Sequence, residues 1–66
     1  MEFPKTVIIN IDHPQGLPDV ECRGQMGTAL RPIDNGDYWE VRFYGFGEPD
    51  RYYEAAFHKN SLEVVA

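Results

Sequence analysis

The side chains most able to do chemistry lie in one segment, residues 11–24, with the sequence IDHPQGLPDVECRG. Asp12, His13 and Cys22, with His58 from farther along the chain, are residue types that hold metals or supply a nucleophile and its base. Zinc sites usually draw on two closely spaced Cys or His pairs, and the sequence has no such pair. No oxyanion-binding set is recognisable either. We therefore expect a protein that is not an enzyme, with no metal site and no cofactor.

The same segment has the composition of a long surface loop. Pro14, Gly16, Pro18 and Gly24 are turn-forming residues that interrupt any regular strand or helix. In such a loop Asp12 would cap a turn, His13 would be exposed and Cys22 would be a small, partly buried hydrophobe. We expect the segment to be displayed and unreactive.

Length and cysteine content define the class of protein. A chain of 66 residues makes one domain, residues 1–66, with a small core. The single cysteine excludes an internal disulfide, so a reducing compartment is favoured. The N-terminal sequence MEFPKTVIINID does not resemble a signal peptide, and no apolar run approaches the length of a membrane span. The prediction is a cytoplasmic protein, complete as given, that does not bind membranes.

The charge argues against nucleic acid as a direct ligand. Eleven acidic and six basic side chains give a net charge of −5, which repels a polyanion. The carboxylates are scattered along the chain and form no acidic tail, which is typical of a solvated surface.

Strand periodicity dominates the chain, because five prolines and six glycines interrupt helical windows. Alternating apolar residues predict strands at 6–11, 25–33, 38–46 and 51–58, then a helical turn at KNS and a last strand in LEVVA. Asn35 and Gly36 predict a hairpin turn at residues 34–37, and Gly27 and Ala29 leave room for a close backbone approach. The predicted core is Val7, Ile9, Trp39, Val41, Phe43, Phe57, Leu62 and Val64.

Three segments resemble the SH3-like barrel superfamily: RGQMGTA at residues 23–29, WEVRF at 39–43, and F....SLEVV at 57–65. The resemblance covers about residues 6–65. Within that superfamily the chain is similar to the small stromal accessory barrel of photosystem I and to the variable chain of ferredoxin-thioredoxin reductase. The resemblance implies an all-β fold, a five-stranded antiparallel SH3-like barrel with a long loop after strand 1. It also implies a docking or accessory module without catalysis.

Alternation on the third and fourth strands places Tyr38, Arg42, Tyr44 and Tyr52 outward, and Phe46 is expected in the connection between the two strands. The predicted protein-binding residues are Tyr38, Arg42, Tyr44, Phe46 and Tyr52. Aromatic and arginine side chains concentrate binding energy in interfaces, although rings on a thin barrel also serve as cross-strand cover. The first hypothesis is a small accessory subunit, regulator or inhibitor that binds another protein and is itself a monomer or weak homodimer.

The acidic balance supports an alternative from another class. Carboxylates can stand in for phosphates, so the protein could be a phage-type inhibitor that mimics nucleic acid and occupies a basic groove of a host enzyme. Strong salt dependence of partner binding would distinguish this mimic from an aromatic docking module.

Overall fold

A computed structural model describes residues 3–45 and 47–65. It contains five strands: β1 (Lys5–Ile9), β2 (Met26–Ile33), β3 (Tyr38–Gly45), β4 (Glu48–His58) and β5 (Leu62–Val64). Single 3-10 turns occupy Asp34–Gly36 and Lys59–Ser61. All paired strands are antiparallel, and their order across the sheet is β4-β3-β2-β1-β5. The predicted all-β fold with five antiparallel strands is confirmed.

The strands form one open sheet, with β4 and β5 at its two edges. Among the described residues, no strand pairing closes this sheet into the predicted barrel. β1 lies between β2 and β5, so the first and last strands of the chain pair. Within the described part of the chain no helix has the length and apolar character needed to cross a membrane.

The clearest differences from the predicted strand boundaries are at the end of β1 and the start of β4. β1 ends at Ile9, and the chain then turns so that the Asn10 N–H reaches the Ser61 carbonyl at 2.8 Å. β4 begins at Glu48, where the sequence predicted a break at its glycines and proline. Pro49 fits there because β4 is an edge strand, where a missing N–H donor costs no ladder hydrogen bond.

The core lies on the inward face of the sheet and largely matches the prediction. Seven predicted residues are buried, namely Val7, Ile9, Trp39, Val41, Phe43, Phe57 and Leu62. Cys22 and Ala29 are buried as well, and neither was among the predicted core residues. The Phe43 ring packs edge-on against Phe57 and is stacked on Tyr53, with centroid distances of 5.7 and 5.8 Å. The alternation on β3 therefore has the predicted phase.

The prediction that Val64 is buried is wrong: 47% of it is exposed. Val64 pairs with Val7, which is fully buried. The difference arises because Val64 ends the short edge strand β5, so it has a neighbouring strand on one side only.

Close backbone approach explains why glycine stands at position 27. A Cβ at Gly27 would lie 2.9 Å from the Arg42 carbonyl oxygen and 2.9 Å from Val41 Cγ1. The predicted turn after β2 is also present, with positive φ at Asn35 (60°) and Gly36 (89°). Both are the left-handed conformations that these residue types tolerate.

Val7 and Val64 form a matched pair for testing the assigned burial. Val7→Ala should lower the free energy of unfolding by about 2 kcal/mol, because it removes buried methyl groups and leaves a cavity. Val64→Ala should change it by less than about 0.5 kcal/mol. Urea unfolding of the two variants measures the difference, and equal losses would contradict the position of β5 at the sheet edge.

Candidate functional site

The long loop at residues 10–25 is anchored in the core by its cysteine. Cys22 is fully buried, and its Sγ donates to the Ile11 carbonyl oxygen at 3.3 Å. Its backbone N–H donates to the Asp12 carbonyl oxygen at 2.9 Å, and Ile11 and Val20 pack against the core. Cys22 is thus more completely buried than the sequence predicted. Burial also raises the pKa of the Cys22 thiol, with the nearby Asp12 carboxylate as the second cause.

The polar side chains of the loop are engaged with one another. Asp12 forms an ion pair with Arg23, and that hydrogen bond is the main reason the pKa of Asp12 lies below its ordinary value. His13 Nδ1 lies 3.0 Å from the Val20 carbonyl oxygen. With Glu21, these residues line an open hollow of about 300 Å³. The sequence predicted that Asp12 would cap a turn, but its carboxylate instead forms an ion pair with Arg23.

His58 takes no part in this loop. It ends β4, where its Nδ1 accepts the Asn60 N–H at 3.1 Å and its ring packs edge-on against Tyr38. Among residues 3–45 and 47–65, no group of three or more His, Cys, Asp or Glu side chains is placed to share a metal ion. The histidines thus serve the loop backbone and the turn before β5.

The outward faces of β3 and β4 carry the predicted protein-binding residues, and the strand register divides them. Tyr44 pairs with Tyr52 and Arg42 with Glu54, so these side chains form two adjacent cross-strand pairs. Tyr38 lies at the opposite end of β3, about 20 Å from Tyr44 along the strand. Phe46 lies outside the described residues. The site is therefore centred on Arg42, Tyr44 and Tyr52.

The guanidinium of Arg42 is held by two neighbours. Its Nε and Nη2 donate to the same Glu54 oxygen at 2.9 and 2.6 Å. Its Cζ lies 5.1 Å from the centroid of the Tyr52 ring, within the range of a cation–π contact. The hydrogen bond to Glu54 is the main reason the pKa of Arg42 is raised. Arg42 is therefore charged and held in one orientation, and the Glu54 carboxylate balances its charge.

The two tyrosines form an exposed aromatic pair. Their ring centroids are 6.3 Å apart at an interplanar angle of 74°, and Tyr44 and Tyr52 are 53% and 55% exposed. Met26 on β2 adds a third apolar side chain and is 60% exposed. The sequence prediction missed Met26, although strand alternation places it outward once the neighbouring Gly27 and Ala29 are assigned inward.

Tyr44 stands between two open hollows. One, of about 420 Å³, extends towards β1, and its lining includes Thr6, Met26, Thr28 and Arg42. The other, of about 360 Å³, lies beside the β3–β4 turn and is lined by Gln25, Tyr44, Gly45, Gly47, Glu48 and Pro49. The Tyr44 ring is therefore accessible from both sides.

Comparisons with protein-family models, with curated proteins and with solved structures find no match. A functional assignment therefore depends on the geometry of the outward face.

Burial of the Cys22 thiol predicts a pH-dependent stability. Because its pKa is raised on folding, its contribution is complete below the unfolded-state thiol pKa of about 8.5 and is lost as the pH rises through the folded-state value. The slope attributable to Cys22 is at most about 1.4 kcal/mol per pH unit. Cys22→Ala should remove that slope between about pH 8 and pH 9.5, a window below most tyrosine ionisation.

Urea unfolding under reducing conditions at a series of pH values measures this slope in both proteins. Stability profiles that stay parallel for the wild type and Cys22→Ala would show that folding does not raise the pKa of the thiol.

Proposed function

We propose that this protein is a non-enzymatic, cytoplasmic SH3-like barrel module that binds another protein, as an accessory subunit or as a regulator or inhibitor of a larger complex. The proposed contact surface is the outward face around Arg42, Tyr44 and Tyr52, with Met26 added on the β2 side. The observation that carries the proposal is the exposed Tyr44–Tyr52 pair, whose members are each more than half exposed.

The chemistry of these side chains favours a protein partner. Tyrosine and arginine are enriched where interfaces concentrate their binding energy. A tyrosine can remain exposed before binding because its hydroxyl stays hydrated while its ring supplies apolar area. Met26 and Tyr44 line the same hollow, so apolar contacts are available around the rings as well as on them.

The strand arrangement supports the SH3-like interpretation. The long loop follows β1, the 3-10 turn at Lys59–Ser61 precedes β5, and β5 returns to pair with β1. Pairing of the first strand with the last is what a small barrel needs to bring its two ends together.

The acidic mimic of nucleic acid remains the alternative, and one observation favours it. All six basic side chains already have an anionic or aromatic neighbour: Arg23, Arg31, Arg42 and Lys59 are in ion pairs, and Lys5 and Arg51 lie over rings. The excess negative charge therefore belongs to carboxylates such as Asp19 and Glu21 in the loop. A mimic would bind its partner through those groups, with a strong salt dependence.

Alanine substitution on the outward face tests the proposed function. A partner captured from the native host with the intact protein, identified by mass spectrometry and then purified, provides the ligand for calorimetry. Tyr44→Ala and Arg42→Ala should each weaken binding at least tenfold, because a few desolvated aromatic and arginine anchors usually carry an interface. Their effect on the free energy of unfolding should be within about 0.5 kcal/mol.

Asp19→Asn and Glu21→Gln are the matched controls, because they alter exposed loop side chains away from the paired rings. They should change the affinity far less than the two face variants. The reverse pattern, with binding insensitive to Tyr44 and Arg42 but lost on neutralising the loop carboxylates, would contradict the docking face and favour the mimic.

A further inference from the structure

Three exposed apolar side chains, Met26, Tyr44 and Tyr52, form a row across the sheet, and the partly buried Ile8 extends this row onto β1. Ile8 on β1 pairs with Met26 on β2, and Tyr44 on β3 pairs with Tyr52 on β4. Gly27 pairs with Phe43, so Met26 and Tyr44 are the next neighbours along their strands and line one hollow. We call this row, consisting of Ile8, Met26, Tyr44 and Tyr52, the apolar strip.

The dimensions of the apolar strip suit a short extended segment. Three spacings between neighbouring strands give it a length of about 14 Å. An extended chain advances about 3.3 Å per residue, so about four or five residues would lie along it. On one side the strip is bordered by a polar row, which consists of Thr6, Thr28, Arg42 and Glu54. A ligand that buries apolar area there is therefore confined to the strip and the hollows beside Tyr44.

Carboxylates lie near both ends of the apolar strip, and Arg51, which adjoins Tyr52 on β4, lies over the Tyr53 ring. Glu63 pairs with Ile8 at the β5 end, and the hollow between Tyr44 and the β3–β4 turn is lined by Glu48. Asp50 is exposed and lies two residues before Tyr52, in the part of β4 where the register with β3 shifts. Among the ion pairs of the described residues, none involves these three carboxylates.

Arg42 borders the apolar strip but does not offset this negative charge, because Glu54 neutralises Arg42 at 2.6 Å. We propose, as a refinement that depends on the docking function above, that the apolar strip binds an extended segment of a partner protein in which lysine or arginine residues flank two or three apolar side chains. The apolar side chains contact Met26, Tyr44 and Tyr52, and the basic groups reach the carboxylates at the two ends. Charge complementarity of this kind sets specificity and association rate.

Two synthetic peptides that differ only in charge test this inference. One carries lysines around a tryptophan and two leucines, and the other has glutamate in place of each lysine. Binding to the intact protein is followed by two-dimensional ¹H–¹⁵N NMR titration. The lysine peptide should shift the amide signals of the apolar strip, bind at least tenfold more tightly than the glutamate peptide, and lose affinity as salt is added.

Variants locate the contact. Tyr44→Ser and Met26→Ser should weaken the lysine peptide at least tenfold, and Asp50→Asn should weaken it about threefold. Asp34→Asn is the matched control: it removes the same charge at the far end of β3, at a residue with φ of 51° that asparagine tolerates, and it should leave binding unchanged. Melting curves establish that each variant is folded.

The outcomes separate this inference from the proposed function. Equal binding of both peptides on the apolar strip would overturn the preference for a basic segment and leave the docking face intact. Shifts confined to the loop, or an equal effect of Asp50→Asn and Asp34→Asn, would overturn the strip as the site of charge recognition. If neither peptide binds, the inference is overturned. The proposed function is decided separately, by the affinity of Tyr44→Ala and Arg42→Ala for the captured partner.

Discussion

The structure depends on the alternation of side chains along β3. Trp39, Val41 and Phe43 fill the inward positions, and the strand is paired on both sides, with β2 and β4. A strand fixed in this way cannot slip by one residue without moving its whole apolar set to solvent. The same constraint determines the other face, because the residues between the core positions must point outward. Exposure of Arg42 and Tyr44 is therefore a consequence of how the core is built.

The loop at residues 10–25 supplies a second part of the core. A domain of 66 residues has little apolar area to bury, so a cysteine from the loop is used to complete the inward face. Once Cys22 is fixed, Asp12 and Arg23 are brought together and neutralise each other. Cys22 and Asp12, which the sequence analysis considered for chemistry, thus stabilise the conformation of the loop that contains them.

Local alternation made most of this fold predictable, and tertiary position explains the rest. The inward phase of β3 and the turn at Asn35 follow from period-two patterning and from residues that tolerate positive φ. Val64 and Cys22 could not be placed in the same way, because one is exposed by the end of an edge strand and the other is buried by a loop that has no periodicity. For the candidate site, alternation predicted Arg42, Tyr44 and Tyr52 correctly as outward residues. The separation of Tyr38 from Tyr44 also follows from the predicted strand at 38–46, because six residues of strand span about 20 Å. Alternation could not predict that Tyr44 pairs with Tyr52, since that depends on the register between β3 and β4.

The geometry of Arg42 bears on how such a face could bind with useful affinity. A long arginine side chain ordinarily loses rotamer freedom when an interface forms, and that loss opposes binding. Here Glu54 holds two of its nitrogens and the Tyr52 ring lies against its guanidinium before any partner arrives. Tyr44 is positioned in turn by its edge-on contact with Tyr52. Because these contacts already order the three side chains, a partner that covers them would bury apolar area without the full entropic cost of fixing each one.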